Sequence, residues 1–287
     1  MKKNFFGNQI VDLEKKEYFY KSHLFYKFNG KKKHGGLRTK KKFKNSRRGQ
    51  PLISIITVVK NGANNLQRCI ESVQNQKNVN LEHIIIDGGS KDATLKIMKK
   101  NSDKIDYWIS EKDNGIYDAM NKGLILANGK YIGILNSDDF YKKNSLKIII
   151  RYFKKFKKIN FLFGTVYKNK ILCGFWPKKI KWKFNIYSAH SVGFFIKKDT
   201  QKKVGLYDNN FKFCADRDLI YRLIEKYKFK GMATKKDELI GYFSPGGISE
   251  SMSFLKRLIE ETKIRLKNKQ NLFIIIILFL VHIIYQG

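Results

Sequence analysis

Four short apolar runs punctuate the first half of this chain, at residues 52–59, 81–86, 105–110 and 131–135, and each gap between them has helical spacing. The first is rich in Ile and Val and the last is a continuous apolar run, the pattern of strands covered on both faces. Between the first two, Leu66, Cys69, Ile70 and Val73 fall on one face of a helix over 65–76. Ser90 or Asp92 then caps a helix carrying Leu95, Ile97 and Met98. A third helix opens at Asn114-Gly115, carries Ile116, Met120, Leu124 and Ile125, and stops at Gly129. Strand and helix alternating at this interval predict an α/β fold: a doubly wound, mostly parallel sheet with helices on both faces.

Beyond residue 140 the order changes. A helix near 145–155 precedes runs at 161–167 and 171–176, joined through Lys168-Asn169-Lys170 as a hairpin. An apolar strand over 188–196, an amphipathic helix over 216–227 and a late strand over 238–243 follow, giving mixed strands in the second half. Residues 253–269 read as a helix with Leu255, Leu258, Ile259, Thr262 and Leu266 aligned and basic residues opposite. Residues 272–285, LFIIIILFLVHIIY, form an apolar helical tail shorter than the roughly 20 residues that cross a bilayer. Such a tail lies in the interface, dips into it, or packs on a partner.

With 287 residues, 43% of them hydrophobic, the chain can bury a large core, and its formal net charge of +35 calls for an anionic partner. Nucleic acid, an anionic membrane surface and phosphorylated substrates all qualify. Lys is dispersed along the whole chain, which argues against a shaped groove for specific nucleic acid. The basic run 31–48 reads as a solvated, mobile face, or as a contact for anionic lipid or a phosphorylated partner. Cys69, Cys173 and Cys214 are scattered without C-x-x-C spacing, which points to a reducing compartment and no zinc site. No secretory signal follows Met1.

In a parallel sheet the carboxyl ends of the strands converge on one edge, where ligands bind. Here those ends carry Thr57, Asp87 and Asn136-Ser137-Asp138-Asp139. Adjacent carboxylates repel unless a hard cation or ligand hydroxyls sit between them, so Asp138 and Asp139 suit Mg²⁺ or Mn²⁺ shared with a diphosphate. Asn-Ser-Asp-Asp is also ordinary turn chemistry. Neither a P-loop nor a G-x-G-x-x-G follows the first strand, which sets aside both fingerprints.

ISIITVVKN, HIIIDGGSKDAT and SEKDNGIYDAMNKGLILANGKYIGILNSDD resemble the nucleotide-diphospho-sugar transferase (GT-A) fold of family 2 glycosyltransferases, in the branch that builds bacterial surface polysaccharides. The resemblance covers roughly residues 52–243. It implies a nucleotide-diphospho-sugar donor, with Thr57 and Asp87 holding the base, Asp92 supporting that loop, and Asn121 and Asn136 in the donor site. Asp138, with Asp139 beside it, would ligate Mn²⁺ or Mg²⁺. Asn136 stands where many relatives carry an acid, Gly88 where others carry a second acid, and Met120-Asn121 where others carry Arg-Asn; the base stays open. Asp216, in Cys214-Ala215-Asp216-Arg217-Asp218, falls where the family places its catalytic acid, with Asp218 as the fallback. His190 could touch the diphosphate or acceptor, or be an ordinary hydrogen-bonded histidine. Ser244 to Ser249 resembles a mobile loop beside such sites. Trp176 and Trp182 could stack on an acceptor sugar, with core packing the commoner fate.

The organisation implied is a basic aromatic extension over 1–50, a GT-A domain over 51–249 (nucleotide-binding half 51–140, acceptor half 141–249) and a helical tail over 250–287. The function implied is an inverting, metal-dependent transfer of sugar to a saccharide or lipid-linked acceptor in cell-envelope polysaccharide synthesis. Its place would be the cytoplasm, peripheral at the inner face of the cell membrane. The rivals are a basic nucleic-acid-binding protein and a nucleotidyltransferase on a related fold.

Overall fold

The computed structural model of the chain describes residues 33–246 and 252–286. The aromatic stretch before residue 33 and the part of the Ser244-to-Ser249 loop after residue 246 lie outside the described residues. Four parallel strands, β2 (Ile53–Val59), β3 (Leu81–Asp87), β4 (Tyr107–Ser110) and β5 (Tyr131–Asn136), form the centre of an eight-stranded sheet. Its order is β1-β4-β3-β2-β5-β10-β7-β11, with β1 at Lys33–Gly35, β7 at Phe161–Phe163, β10 at Phe194–Lys197 and β11 at Gly231–Ala233. All seven residues of β2 are buried, as its unbroken apolar run requires. Ile56, Val58, Ile84 and Ile86 pack with Met120 and Leu124 of the helix Ile116–Leu126. Ile53 and Ile55 face the other way, against Cys69 and Val73 of the helix Ala63–Gln74. The helices are α1 (Ala63–Gln74), α2 (Thr94–Lys100), α3 (Ile116–Leu126), α4 (Leu146–Lys155), α5 (Lys198–Val204), α6 (Ala215–Tyr221), α7 (Phe254–Lys267) and α8 (Leu272–Gln286).

The strand order reverses between β2 and β5, which pair in parallel up to Val58 and Asn136. This switch point is where an open α/β sheet leaves a crevice at its carboxyl edge. On the far side of β5 the partners turn antiparallel through β10. A second sheet of four strands, β6 (Phe140–Tyr141), β12 (Leu239–Tyr242), β8 (Thr165–Lys168) and β9 (Lys170–Leu172), stands beside the crevice. The expected run 161–167 is split between the two sheets at Gly164, where a Cβ would lie 2.4 Å from Ile240. The hairpin at Lys168–Lys170 forms.

Three differences from the sequence-based expectations have physical causes. Residues 33–42, expected as part of a solvated extension, join the domain. β1 pairs with β4, and Arg38 is buried in an ion pair with Glu82. Glu82 also accepts from Ser54 Oγ (2.5 Å) and the Asn128 amide (3.0 Å), so an internal carboxylate supplies what the basic run lacked. The expected strand 188–196 is regular only from Phe194; before it, Val192 sits at φ 55°, bent back toward β5 by its amide bond to Ile134 O. Trp176 and Trp182, expected in the core, are 50% and 54% exposed.

Candidate active site

A cavity of about 800 Å³ opens at the carboxyl ends of β2 and β5, the position the switch point dictates. Its walls come from the turn after β2 (Lys60, Asn61), the end of β5 (Asn136 to Asp139), the start of α3 (Tyr117), the 184–191 segment and the start of α6. The site therefore gathers residues from both halves of the chain.

Asp138 lines the cavity, and burial raises its carboxyl above the ordinary aspartate value against the opposing pull of its own amide and of Arg68. Arg68 is anchored over the Phe140 ring at 4.2 Å and donates to the Asp138 carbonyl (3.2 Å). Asn136 also lines the cavity, and its Oδ1 is buried without a hydrogen-bond partner. An orphaned oxygen and a carboxylate in one cavity lining are donors of the kind a hard cation takes. Among the described residues no group of three or more His, Cys, Asp or Glu side chains stands ready to hold a metal. A cation here would need substrate oxygens to complete its shell, as Mg²⁺ and Mn²⁺ sites commonly do.

Asp139, expected as a second ligand, has its carboxylate committed to the protein. Its Oδ2 accepts from Ser191 Oγ (2.5 Å) and its Oδ1 from the Ser244 amide (2.9 Å), with the residue 1% exposed. Burial first, and then the Asp138 charge, push its carboxyl to about 7 despite those two donors. Ser191 Oγ in turn accepts the Asn136 amide (2.8 Å), so Asp139 fastens two loops to the end of β5. That is a latch, set in the cavity wall beside Asp138.

The expected base-binding residues also turn inward. Thr57 is fully buried, its Oγ1 2.9 Å from His83 Nε2. Asp87 is fully buried and accepts from the Ser90 amide (3.1 Å), Ser90 Oγ and Ser110 Oγ (2.6 Å). Neither lines the cavity. Asp92 accepts the amides of Ala63 and Thr94 at 3.0 Å each. Asn121 is buried; its amide group exchanges two 2.9 Å bonds with the Tyr207 backbone, stapling the segment after α5 to α3 instead of facing donor.

What does face the cavity at that end is Lys60, Asn61 and Asp113. Asp113 packs over Gly88 so closely that a Cβ there would lie 2.2 Å from its Oδ2. A neighbouring loop thus sets a carboxylate against position 88. Asp113 follows β4, which is itself one of the parallel strands, so its nearness to the converging edge was readable in the sequence alongside the ends of β2, β3 and β5.

Asp216 stands in the first turn of α6 and lines the cavity. Tyr117 OH donates to its Oδ1 (2.9 Å) and Tyr187 OH to its Oδ2 (3.1 Å). Burial, followed by the Asp216 charge, holds both phenols well above the ordinary tyrosine value, so they remain protonated donors. Asp218, the fallback base, is fully buried and bonded to Arg222 (2.8 Å), Lys267 and Asn268 (2.9 Å), which removes it from the chemistry. His190 borders the cavity with Nε2 2.8 Å from Tyr207 OH, and burial lowers its pKa against the pull of Asp216. Neither tyrosine partner of Asp216 has a sequence signature: Tyr117 is one turn into a helix and Tyr187 some thirty residues upstream of the acid, contacts only the folded chain makes.

Comparison with known proteins accords with this geometry. The family described as "Glycosyl transferase family 2" matches residues 54–228. Chondroitin synthase of Pasteurella multocida is 30% identical over 190 residues, covering 63% of this chain and 20% of the synthase. A PGL/p-HBAD biosynthesis glycosyltransferase of Mycobacterium bovis is 26% identical over 234 residues, 76% of this chain and 88% of that protein. The chain thus spans only a fifth of the synthase it resembles. Among solved structures, S. aureus TarS 1-349 in complex with UDP-GlcNAc superposes with a TM-score of 0.57 at 15% identity, over 75% of this chain and 65% of that one. Mannosyltransferase PcManGT from Pyrobaculum calidifontis, in complex with GDP-Man and Mn²⁺, gives 0.59 at 14% identity, over 82% and 70%. At those identities the likeness establishes the fold.

Proposed function

The chain belongs to glycosyl transferase family 2, and from that premise we propose that it moves a sugar from a nucleotide-diphosphate donor to a saccharide or lipid-linked acceptor by a single, inverting displacement. The observation that carries this reading is the placing of Asp138 and of a tyrosine-clamped Asp216 on one cavity at the sheet's switch point. Asp216 would take the proton of the acceptor hydroxyl at a carboxylate oxygen as that hydroxyl's oxygen bonds to the anomeric carbon. The bond from that carbon to the diphosphate breaks on the opposite face, which inverts the configuration. Tyr117 and Tyr187 would fix the carboxylate's orientation while the proton moves. Asp138 and Asn136 Oδ1 would hold Mn²⁺ or Mg²⁺ with the donor's phosphates. Bound there, the cation supplies positive charge that offsets the charge growing on the leaving diphosphate. The nucleoside would lie toward Lys60, Asn61 and Asp113, with Asp87 and Asp92 bracing that wall from behind. We place the reaction in cell-envelope polysaccharide synthesis at the inner face of the cell membrane.

The test is a mass-resolved screen of UDP-, GDP- and dTDP-sugars with Mn²⁺ or Mg²⁺. One donor should release its nucleoside diphosphate, and Asp138→Ala and Asp216→Asn should each lower that rate by roughly 10²- to 10⁴-fold with melting unchanged. Full activity in both variants would refute the roles of Asp138 and Asp216, and release of pyrophosphate would mark a nucleotidyltransferase.

A further inference from the structure

The helix α7 faces two ways. Inward, Glu260 accepts the amides of Lys212 (2.9 Å), Phe213 (3.0 Å) and Cys214 (2.9 Å), the segment leading into Asp216. Glu261 pairs with Arg217, which lines the cavity. Outward, Leu255, Ile259 and Leu266 are 63%, 47% and 51% exposed. At 100° per residue these three fall within about 40° of arc, with the exposed Lys256 and Lys263 beside them. Of the aligned apolar residues Leu255, Leu258, Ile259 and Leu266, Leu258 is buried and the other three lie outside.

Helix α8 packs against α7 through the side that carries the buried Ile275. Its exposed apolar residues, from Phe279 through Leu272, Leu280 and Phe273 to Val281, cover about 200° of the helix. A pairing helix needs only a narrow seam of two positions in seven, so this breadth does not suit a second copy of the chain. Fifteen residues give a length of roughly 22 Å, short of a hydrocarbon core of about 30 Å. No helix among the described residues is long and apolar enough to cross a membrane.

A third piece adjoins these two. Lys181 O accepts from Arg265 Nη1 (2.7 Å) and Gln270 Nε2 (2.7 Å), which seats the Lys178–Lys183 turn at the α7–α8 junction. Lys178, Lys179, Lys181 and Lys183 are exposed there around Trp182, itself 54% exposed. An amphipathic aromatic ringed by cations beside an apolar helix matches the three layers of an anionic bilayer surface: acyl chain, interface and head group. Phe184, Asn185 and Tyr187, directly after this turn, line the cavity on the Asp216 side.

We propose that α8, the outer stripe of α7 and the Lys178–Lys183 turn form one docking surface for an anionic lipid bilayer, and that it brings the Asp216 end of the cavity to an acceptor carried on a lipid. The second half of this inference rests on the sugar-transfer reading above; the first does not.

The experiment is co-sedimentation of the full chain with phosphatidylcholine vesicles, with and without phosphatidylglycerol. Binding should be roughly tenfold or more tighter to the anionic vesicles and should weaken with salt. Leu280→Asp with Ile284→Asp should lose binding by at least about tenfold, while release of nucleoside diphosphate in detergent-free buffer stays at the native rate. Charge reversal of Lys179, Lys181 and Lys183 to Glu should abolish the preference for anionic vesicles. Asp216→Asn should bind vesicles as the native chain does, so a failure of the transfer reading is told apart from a failure of docking. Equal affinity for neutral and anionic vesicles, binding unaffected by the α8 substitutions, or a stable dimer that those substitutions dissolve would each overturn the docking surface. Transfer to a soluble saccharide faster than to the same saccharide on a vesicle-borne lipid would overturn the lipid-borne acceptor.

Discussion

Replacing Arg38 by Leu tests whether the basic segment before β2 belongs to the domain. Exposed ion pairs contribute about 1 kcal/mol or less, but the Arg38 and Glu82 side chains are each 1% exposed. Removing the guanidinium leaves a carboxylate sealed from water, a situation that costs about 3–5 kcal/mol. Glu82 keeps two donors, Ser54 Oγ and the Asn128 amide, which places the expected loss near the lower end, about 3 kcal/mol. In a protein of this size that corresponds to a fall in Tm of roughly 6–12 °C. Adding Glu82→Gln removes the stranded charge and retains an acceptor for both donors, so the double variant should recover to within about 1 kcal/mol of the native chain. Urea unfolding of the native, single and double variants supplies the comparison. Neither residue lines the cavity, so the turnover of donor well below Tm should be unchanged. A single variant within about 1 kcal/mol of native, or a double variant as unstable as the single, would refute the reasoning.

Burial, and secondarily the Lys44 charge, lower His83 to about 3, so the native chain keeps this imidazole neutral while the unfolded chain protonates it below about 6.5. Stability from this group is complete above pH 6.5 and is lost as pH falls toward 3, by up to about 5 kcal/mol; His83→Gln should flatten that limb of a denaturation series. Asp139 has the opposite sign: with its carboxyl near 7, stability falls as pH rises from about 4 to about 7. Asp139→Asn should therefore raise Tm above pH 7 without added metal and leave it near the native value below pH 4. Gly123 has no room for a side chain, since a Cβ would lie 2.2 Å from Ile56 Cγ2; Gly123→Val should cost about 1–3 kcal/mol by thermal melting.

The parallel centre of the sheet was legible because burial on both faces forces an unbroken apolar run, as in β2 and β5, and because α1 and α3 each carry one apolar stripe. β1 was not, because an edge strand of Lys-His-Gly has no apolar pattern and owes its place to β4 and to Arg38 reaching a carboxylate 44 residues on. In the site, Asp138 and Asp216, singled out by their position in the motif, both line the cavity. Asp139, Asp87 and Thr57 bond within the protein, which the motif could not show, since a residue's place in the sequence does not say toward which side of a strand end its oxygens turn. Tyr117 and Tyr187 escaped because their contacts with Asp216 exist only where distant parts of the chain meet, whereas Asp113, close after β4, was readable from the strand order.

The contact between Gly88 and Asp113 makes those two positions a single unit. A side chain entering at 88 meets the carboxylate at 113 and must displace it, so an acid at 88 and the present pose of Asp113 exclude one another. Relatives that carry an acid after the counterpart of Asp87 should accordingly have a small or retracted residue at the counterpart of Asp113. A substitution at either position therefore reshapes the wall at the other, and the two are best exchanged together.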